Sequence, residues 1–375
     1  MMYALYQYAY QPESWLSFTR LFQYITFRTA YAAVTAGTLC WFLGRIFIPQ
    51  FKNWKIAQRA SRCELEFQEN KKGTPTMGGV LVVASIIIST VLWADLSNRF
   101  VQMALFVLVG LGFLGALDDW IQMRYENRSG LTARTKFFVQ ALIGIILGFW
   151  LLQEPVPIRL LWIEEVTRMD LTRDLFFPFF KSTTLSLGIF YIPFVTLVIM
   201  ASSNAVNLTD GLDGLAIGCV VFAAVAYGAM SYISGHYVFS EYLQVPNVRG
   251  AGELTTFVAG IVGAGLGFLW YNAFPAEIFM GDAGSLPLGG AIGVIAVIIK
   301  QELLLIIVGG IFVMEALSVI IQVFSFRMMG KRAFRMAPLH HHFELKGMNE
   351  CKITVRFWIV GIILALLALS TLKLR

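Results

Sequence analysis

The sequence predicts an all-α, polytopic membrane protein with about ten transmembrane helices forming a single membrane-embedded catalytic domain, residues 1–375. Three observations predict it. Of 375 residues, 57% are hydrophobic and only 14% charged, with a mean hydropathy of +0.69. A soluble domain is roughly a quarter charged, so the missing charge excludes a disordered chain, a small disulfide scaffold and an ordinary cytosolic enzyme. The apolar residues also fall into runs long enough to cross a bilayer, for which about 20 residues are needed and roughly 17 to 25 suffice. Finally, the few Lys and Arg residues lie mostly between those runs.

In chain order the runs cover residues 24–48, 77–94, 100–117, 137–152, 185–202, 215–233, 254–271, 283–299, 303–326 and 353–372. The stretches GAGLGF (263–268) and LGGAIG (288–293) would weaken a helix in water, but small residues let membrane helices approach closely. Lys and Arg set the orientation. The odd-numbered loops hold 16 of them and the opposite side 10, which predicts both termini outside and the odd loops in the cytoplasm. The longest outside loop, between spans four and five, contains PVPIRLLWIEEV (155–166), whose strand-favouring residues predict a small external hairpin.

Cys40, Cys63, Cys219 and Cys351 have no ligand spacing, so neither a disulfide framework nor a zinc site follows. A net charge of +6 fits an anionic lipid surface or anionic substrate, with no nucleic acid required. The opening MMYALYQYAYQPESW lacks the basic, apolar and small-residue order of a cleavable signal peptide.

Five polar clusters stand out: KKGTPTMGG (71–79), the pair Asp118-Asp119, NAVNLTDGLDGLA (204–216), NAFPAEIFMGDAGS (272–285) and APLHHHFELKG (337–347). All five fall in odd-numbered loops, so ten spans put them on one side, as one site built from five loops. Asp118, Asp119, Asp210, Asp213 and Asp282 sit at the ends of apolar spans, where an unpaired carboxylate is costly and usually functional. Each also has a plainer reading. Asp210 fits a helix cap, the Asp118-Asp119 pair a solvated helix end, and GDAGS and GTPTMGG ordinary tight turns. Magnesium takes one or two carboxylates and fills its shell with water and phosphate oxygens, so acids beside basic groups suit a metal-bound diphosphate. His340, His341 and His342 are consecutive and cannot all face one ion, which disfavours zinc; imidazoles beside Lys331, Arg332 and Arg335 can donate to phosphate, and a polar surface turn is the plainer reading. His236 lies near an outside loop, away from the clusters.

These five motifs, in this order, resemble the phospho-N-acetylmuramoyl-pentapeptide transferase family (MraY), over essentially the whole chain. The resemblance implies a ten-span, homodimeric, Mg2+-dependent enzyme of the bacterial cytoplasmic (inner) membrane, with its active site facing the cytoplasm. It implies transfer of phospho-MurNAc-pentapeptide from UDP-MurNAc-pentapeptide to undecaprenyl phosphate, giving lipid I and UMP for peptidoglycan and cell-wall synthesis. Carried over by position, Asp282 matches the magnesium ligand, and Asp118 and Asp119 the essential acidic pair, with Asp118 the proposed proton acceptor from the lipid phosphate. Asn207, Asp210 and Asp213 match polar residues lining the site. Lys71, Gly211, Leu212, Asp213, Asn272 and Phe279 match the uridine pocket, and Thr76 joins the substrate-binding set. His340, His341 and His342 match the histidine motif.

One departure is visible. Many relatives read DDxxK where this chain reads DDWIQ, so Gln122 stands at the lysine position and the basic role passes to Arg124 or Lys136 without either filling the motif. A related UDP-GlcNAc:polyprenyl-phosphate transferase shares the aspartates, but HHH followed by Phe343-Glu344 resembles the muramoyl branch. A transporter would place charges near the bilayer midplane and in related halves, and this chain does neither. The CDP-alcohol transferases are disfavoured because DGLDGLAIG lacks their arginine.

Overall fold

The computed structural model describes residues 1–9, 15–53, 74–124, 130–153, 158–160, 171–180 and 183–373. Its helices are α1 (Met2–Ala9), α2 (Ile25–Asn53), α3 (Gly79–Trp93), α4 (Arg99–Arg124), α5 (Ala133–Gln153), α6 (Tyr191–Thr209), α7 (Leu215–Gly235), α8 (Tyr237–Leu243), α9 (Leu254–Asn272), α10 (Asp282–Ile298), α11 (Leu305–Val308), α12 (Gly310–Met329), α13 (Leu339–Glu344) and α14 (Glu350–Thr371). Among the described residues eight helices are long and apolar enough to cross a membrane, and α3 and α10, of 15 and 17 residues, are shorter apolar helices. Together these ten correspond to the ten predicted runs.

Helix α10 is the axis of the bundle. Every residue from Ala283 to Ile298 is buried, because α3, α4, α6 and α7 pack around it. A helix enclosed by protein is not measured against the bilayer, which explains why 17 residues suffice. Its small residues allow the approach. A Cβ at Gly289 would stand 2.4 Å from the Ser202 carbonyl oxygen, so α6 and α10 touch backbone to backbone there, and Ser203 Oγ donates to Leu286 O at 3.0 Å. The outer helices instead expose large apolar side chains, among them Phe138, Leu197, Ile320, Phe324 and Leu366. Exposed apolar surface on that scale suits contact with lipid.

Asp282, the first residue of α10, marks the site end of the bundle. At the far end two buried cations tie neighbouring elements together. Arg28 of α2 makes a bidentate pair with Glu253 just before α9, at 2.6 and 2.7 Å. Lys300, just past α10, donates to Thr172 O at 2.5 Å and to the Tyr191 hydroxyl at the start of α6 at 2.9 Å.

Three expectations are corrected. The fifth span begins at Tyr191, because 184–186 form strand β3 (Thr184–Ser186), antiparallel to β2 (Asp174–Phe176) with Leu175 opposite Leu185. An apolar run that continues from a strand into a helix cannot be divided by hydropathy alone. Among the described residues the antiparallel hairpin is β2–β3, downstream of the segment in which one was expected. Of that segment, Ile158–Arg159 (β1) pairs with Asn247–Val248 (β4), and residues 155–157 and 161–166 lie outside the described residues. The ninth run divides at Gly309 into α11 and α12.

Candidate active site

The loop 273–281 delivers Asp282 through a backbone turn at Gly281, whose φ is +72°. A Cβ there would meet Asp119 Oδ2 at 2.6 Å and Thr76 Oγ1 at 3.1 Å, so glycine is required both by conformation and by space. Thr76 is brought there by pairing between two of the predicted loops: Phe279 N donates to Pro75 O, Gly78 N to Phe279 O and Gly79 N to Met280 O, at 2.8, 2.9 and 2.8 Å. Lys71 lies outside the described residues.

Asp118 and Asp119 occupy the last turns of α4, and successive helical residues point about 100° apart. They consequently do different work. Asp119 accepts from Asp282 N at 3.2 Å and Ala283 N at 3.0 Å, satisfying the open amides that begin α10. Asp118 turns to α5, where Lys136 Nζ stands 2.8 Å from its Oδ2. It also accepts from Leu131 N at 2.6 Å and Gln122 Nε2 at 2.5 Å.

The same Lys136 Nζ lies 2.7 Å from Asp282 Oδ2, while Asn207 of α6 donates to Asp282 Oδ1 at 2.6 Å and to Ser285 Oγ at 2.9 Å. Carboxylate oxygens of Asp118, Asp119 and Asp282 come within 4.8 Å of one another. Three carboxylates with no sulfur or imidazole donor make an all-oxygen set, which fits a hard cation such as Mg2+. Asp210 closes the cluster from the end of α6. Burial, followed by the negative charges of Asp282 and Asp119, pushes its carboxyl up to about 7.

Residues 211–213 line the neighbouring floor. Leu212 is buried, and Asp213 Oδ2 accepts from Ala276 N at 2.9 Å, pinning the loop that leads to Asp282. Asn272 is engaged likewise: its amide donates to Ile278 O at 2.8 Å and accepts from Gly214 N at 3.1 Å. Phe279 is half-buried beside the paired loops.

The histidines separate. His340 is buried against Gly211, its Nδ1 3.3 Å from Glu315 Oε1, and burial holds its imidazole below the usual range. Glu315 also accepts from Leu339 N and His340 N, at 2.6 and 3.2 Å, fixing the start of α13. His341 Nδ1 contacts Glu344 at 2.6 Å, and His342 Nδ1 accepts from Arg335 N at 3.1 Å. Among the described residues no hydrogen bond or ion pair joins a histidine to the aspartate cluster.

The glycosyl transferase family 4 model matches residues 101–300, which hold Asp118, Asp119, Lys136, Asn207, Asp210 and Asp282. Residues 71–83 match phospho-N-acetylmuramoyl-pentapeptide-transferase signature 1. A phospho-N-acetylmuramoyl-pentapeptide-transferase from Pelobacter propionicus is 54% identical over 355 residues, 95% of each chain. Proteins of the same name from Desulforapulum autotrophicum (49%, covering 99% of this chain and 100% of that one) and Geobacter sp. strain M21 (52%, 95% of each) are also similar. The chain belongs to the phospho-N-acetylmuramoyl-pentapeptide transferases of glycosyl transferase family 4.

For a member of that family, the departure at Gln122 now has a physical account. Gln122 donates to Asp118, and Lys136, fourteen positions along and one helix away, carries the positive charge between Asp118 and Asp282. Arg124 is exposed at the end of α4. Sequence reasoning missed Ser285, Glu315 and Glu350, whose carboxylate accepts from Asp213 N at 2.8 Å. Glu315, a carboxylate inside an apolar run, carried the signal that finds such residues.

Proposed function

We propose that this chain transfers phospho-MurNAc-pentapeptide from UDP-MurNAc-pentapeptide to undecaprenyl phosphate, giving lipid I and UMP. The observation that carries the reading is the convergence of Asp118, Asp119 and Asp282 with Lys136 at one end of a multi-pass bundle. A soluble diphosphate donor and an acceptor with a long apolar tail can meet only at such a membrane-edge site.

Phosphoryl transfer needs in-line placement and charge compensation more than covalent help. An acceptor phosphate oxygen forms the bond to the donor's β-phosphorus as the bond to the UMP oxygen breaks, and the electron pair leaves with UMP. The second pKa of a phosphate monoester is about 6, so the acceptor is mostly dianionic at pH 7 and needs little base assistance. Asp118, which already accepts from three donors, accordingly acts mainly by orienting Lys136. Lys136 and Asn207 hold Asp282 in place from two helices, and Asp119 fixes the backbone beneath it.

Asp282, with Asp118 and Asp119, would hold Mg2+, which when bound supplies charge compensation for the diphosphate. Leu212, Asp213, Asn272 and Phe279 shape the neighbouring nucleoside subsite, the Phe279 ring being suited to stacking on a base. Thr76 and Gly211 join the same subsite, and the family resemblance assigns Lys71 a part in uridine binding. His341 and His342 offer phosphate or sugar contacts, and His340 supports them from beneath. The excess of basic residues in the odd loops supports a cytoplasm-facing site in the bacterial inner membrane with both termini outside, and the family resemblance supports a homodimer. The test is donor choice: purified protein given undecaprenyl phosphate and each UDP-sugar in turn forms a lipid-linked product with UDP-MurNAc-pentapeptide alone. A product from UDP-GlcNAc, with none from the muramoyl donor, overturns the reading.

A further inference from the structure

Directly beneath the carboxylate cluster, between α5 and α6, lies a pair of amides that no catalytic role has absorbed. Gln140 is fully buried, and its Oε1 accepts from Asn204 Nδ2 at 2.7 Å; the same Asn204 amide donates to Met200 O at 2.7 Å. Gln140 Nε2 is buried without a hydrogen-bond partner among the described residues. Apolar side chains would fill this space at no desolvation cost, since an amide taken from water needs its partners to break even. An amide pair there offers what Leu cannot, a directional contact between two helices.

Its position gives that contact a use. Gln140 stands one turn beyond Lys136 on α5 and on the same face, because residues four apart on a helix lie one above the other. Asn204 stands three residues before Asn207 on α6, again on one face. Lys136 and Asn207 are the two side chains that hold Asp282, one on each carboxylate oxygen. Further from the site, α5 and α6 meet through Gly144 against Thr196 and Gly148 against Ile192, which bring the backbones close. Small-residue contacts of that kind set the spacing of the helices but do little to stop one rotating against the other, whereas the amide pair fixes the rotation.

We propose that Gln140 and Asn204 are positioning residues for the transfer, an interhelical amide clamp that sets α5 against α6 so that Lys136 and Asn207 converge on Asp282. The inference rests on the reading of Asp282 as the centre of the site. The clamp touches neither substrate nor the reacting atoms. Its effect is the alignment of two groups that do.

The test compares the full-length membrane protein with the variant Gln140→Leu/Asn204→Leu and with the exchanged pair Gln140→Asn/Asn204→Gln. Four quantities are measured: kcat and KM for the UDP-linked donor, Mn2+ affinity by electron paramagnetic resonance, and the thermal midpoint. Loss of groups that orient first-line ligands typically lowers activity or metal affinity about 10- to 100-fold. The double leucine variant is expected to lose about tenfold or more in kcat and in Mn2+ affinity, with KM and the thermal midpoint little changed. The exchanged pair, which keeps two amides and their combined length, is expected to recover most of both losses. Wild-type kcat and Mn2+ affinity in the double leucine variant would overturn the proposal, and so would a loss that the exchanged pair leaves unrecovered. Because Mn2+ affinity does not depend on the donor, a wild-type protein inactive on UDP-MurNAc-pentapeptide would count against the substrate reading while the metal measurement still judged the clamp.

Discussion

Lys136 Nζ lies 2.7 Å from Asp282 Oδ2, joining α5 to the first residue of the central helix, and the same ammonium lies 2.8 Å from Asp118. One flexible cation thus holds two carboxylates from different helices at the point where an anionic diphosphate is expected to bind. Lys136→Met should lower kcat by roughly 100-fold, the scale of losing one preorganised electrostatic donor. Because its partner Asp118 is fully buried, the loss of the ammonium should also lower the thermal midpoint, and Lys136→Arg, which keeps the charge, should restore the midpoint more fully than the activity. Turnover near the wild-type rate would remove Lys136 from the chemistry.

The capping role of Asp119 leads to a different expectation. Asp119→Ala leaves the amides of Asp282 and Ala283 without their acceptor, a loss of about 1 to 3 kcal/mol for buried donors, so both thermal midpoint and activity should fall. Asp119→Asn keeps one carbonyl oxygen and should retain more stability than Asp119→Ala. Equal midpoints for all three proteins would show that the cap contributes nothing.

How much of this was legible in the sequence depends on the distance involved. The ten spans follow from hydropathy, a local property, and fail only where a strand runs into a helix at Leu185 or a helix breaks at Gly309. The aspartates were legible because carboxylates beside apolar runs are conspicuous. Their division of labour was not, since adjacent Asp118 and Asp119 face α5 and α10, and only helix packing decides that. Lys136 differs from Arg124 because α5 packs on α6 and α4 and so carries its ammonium to Asp282 at the start of α10. The histidine run looked like one feature, yet His340 is a buried strut against Glu315 while His341 and His342 bond elsewhere.

The pH dependence of stability should carry the mark of Asp210. Its carboxyl is pushed up to about 7 by burial and by Asp282 and Asp119, whereas an unfolded chain has about 3.9. Between these values the native state binds more protons than the unfolded one, so stability falls as pH rises from about 4 to about 7. In the presence of a chelator, Asp210→Asn should lose that part of the slope and melt above wild type at pH about 8. Parallel pH profiles for the two proteins would contradict the assignment.

The order of bond making is open to a stereochemical test. One direct displacement at a chiral β-phosphorothioate donor inverts phosphorus, whereas attack first by an aspartate and then by the acceptor gives net retention. Because the acceptor is already a competent anion, inversion is expected. Net retention would assign the first attack to an aspartate.

The central claim, that phosphoryl transfer occurs at the carboxylate cluster built around the first residue of α10, is tested most directly by Asp282→Asn. With UDP-MurNAc-pentapeptide, undecaprenyl phosphate and saturating Mg2+, this variant should release no UMP and form no lipid-linked product while keeping the wild-type thermal midpoint within a few degrees. UMP release and lipid product at the wild-type rate would place the chemistry elsewhere.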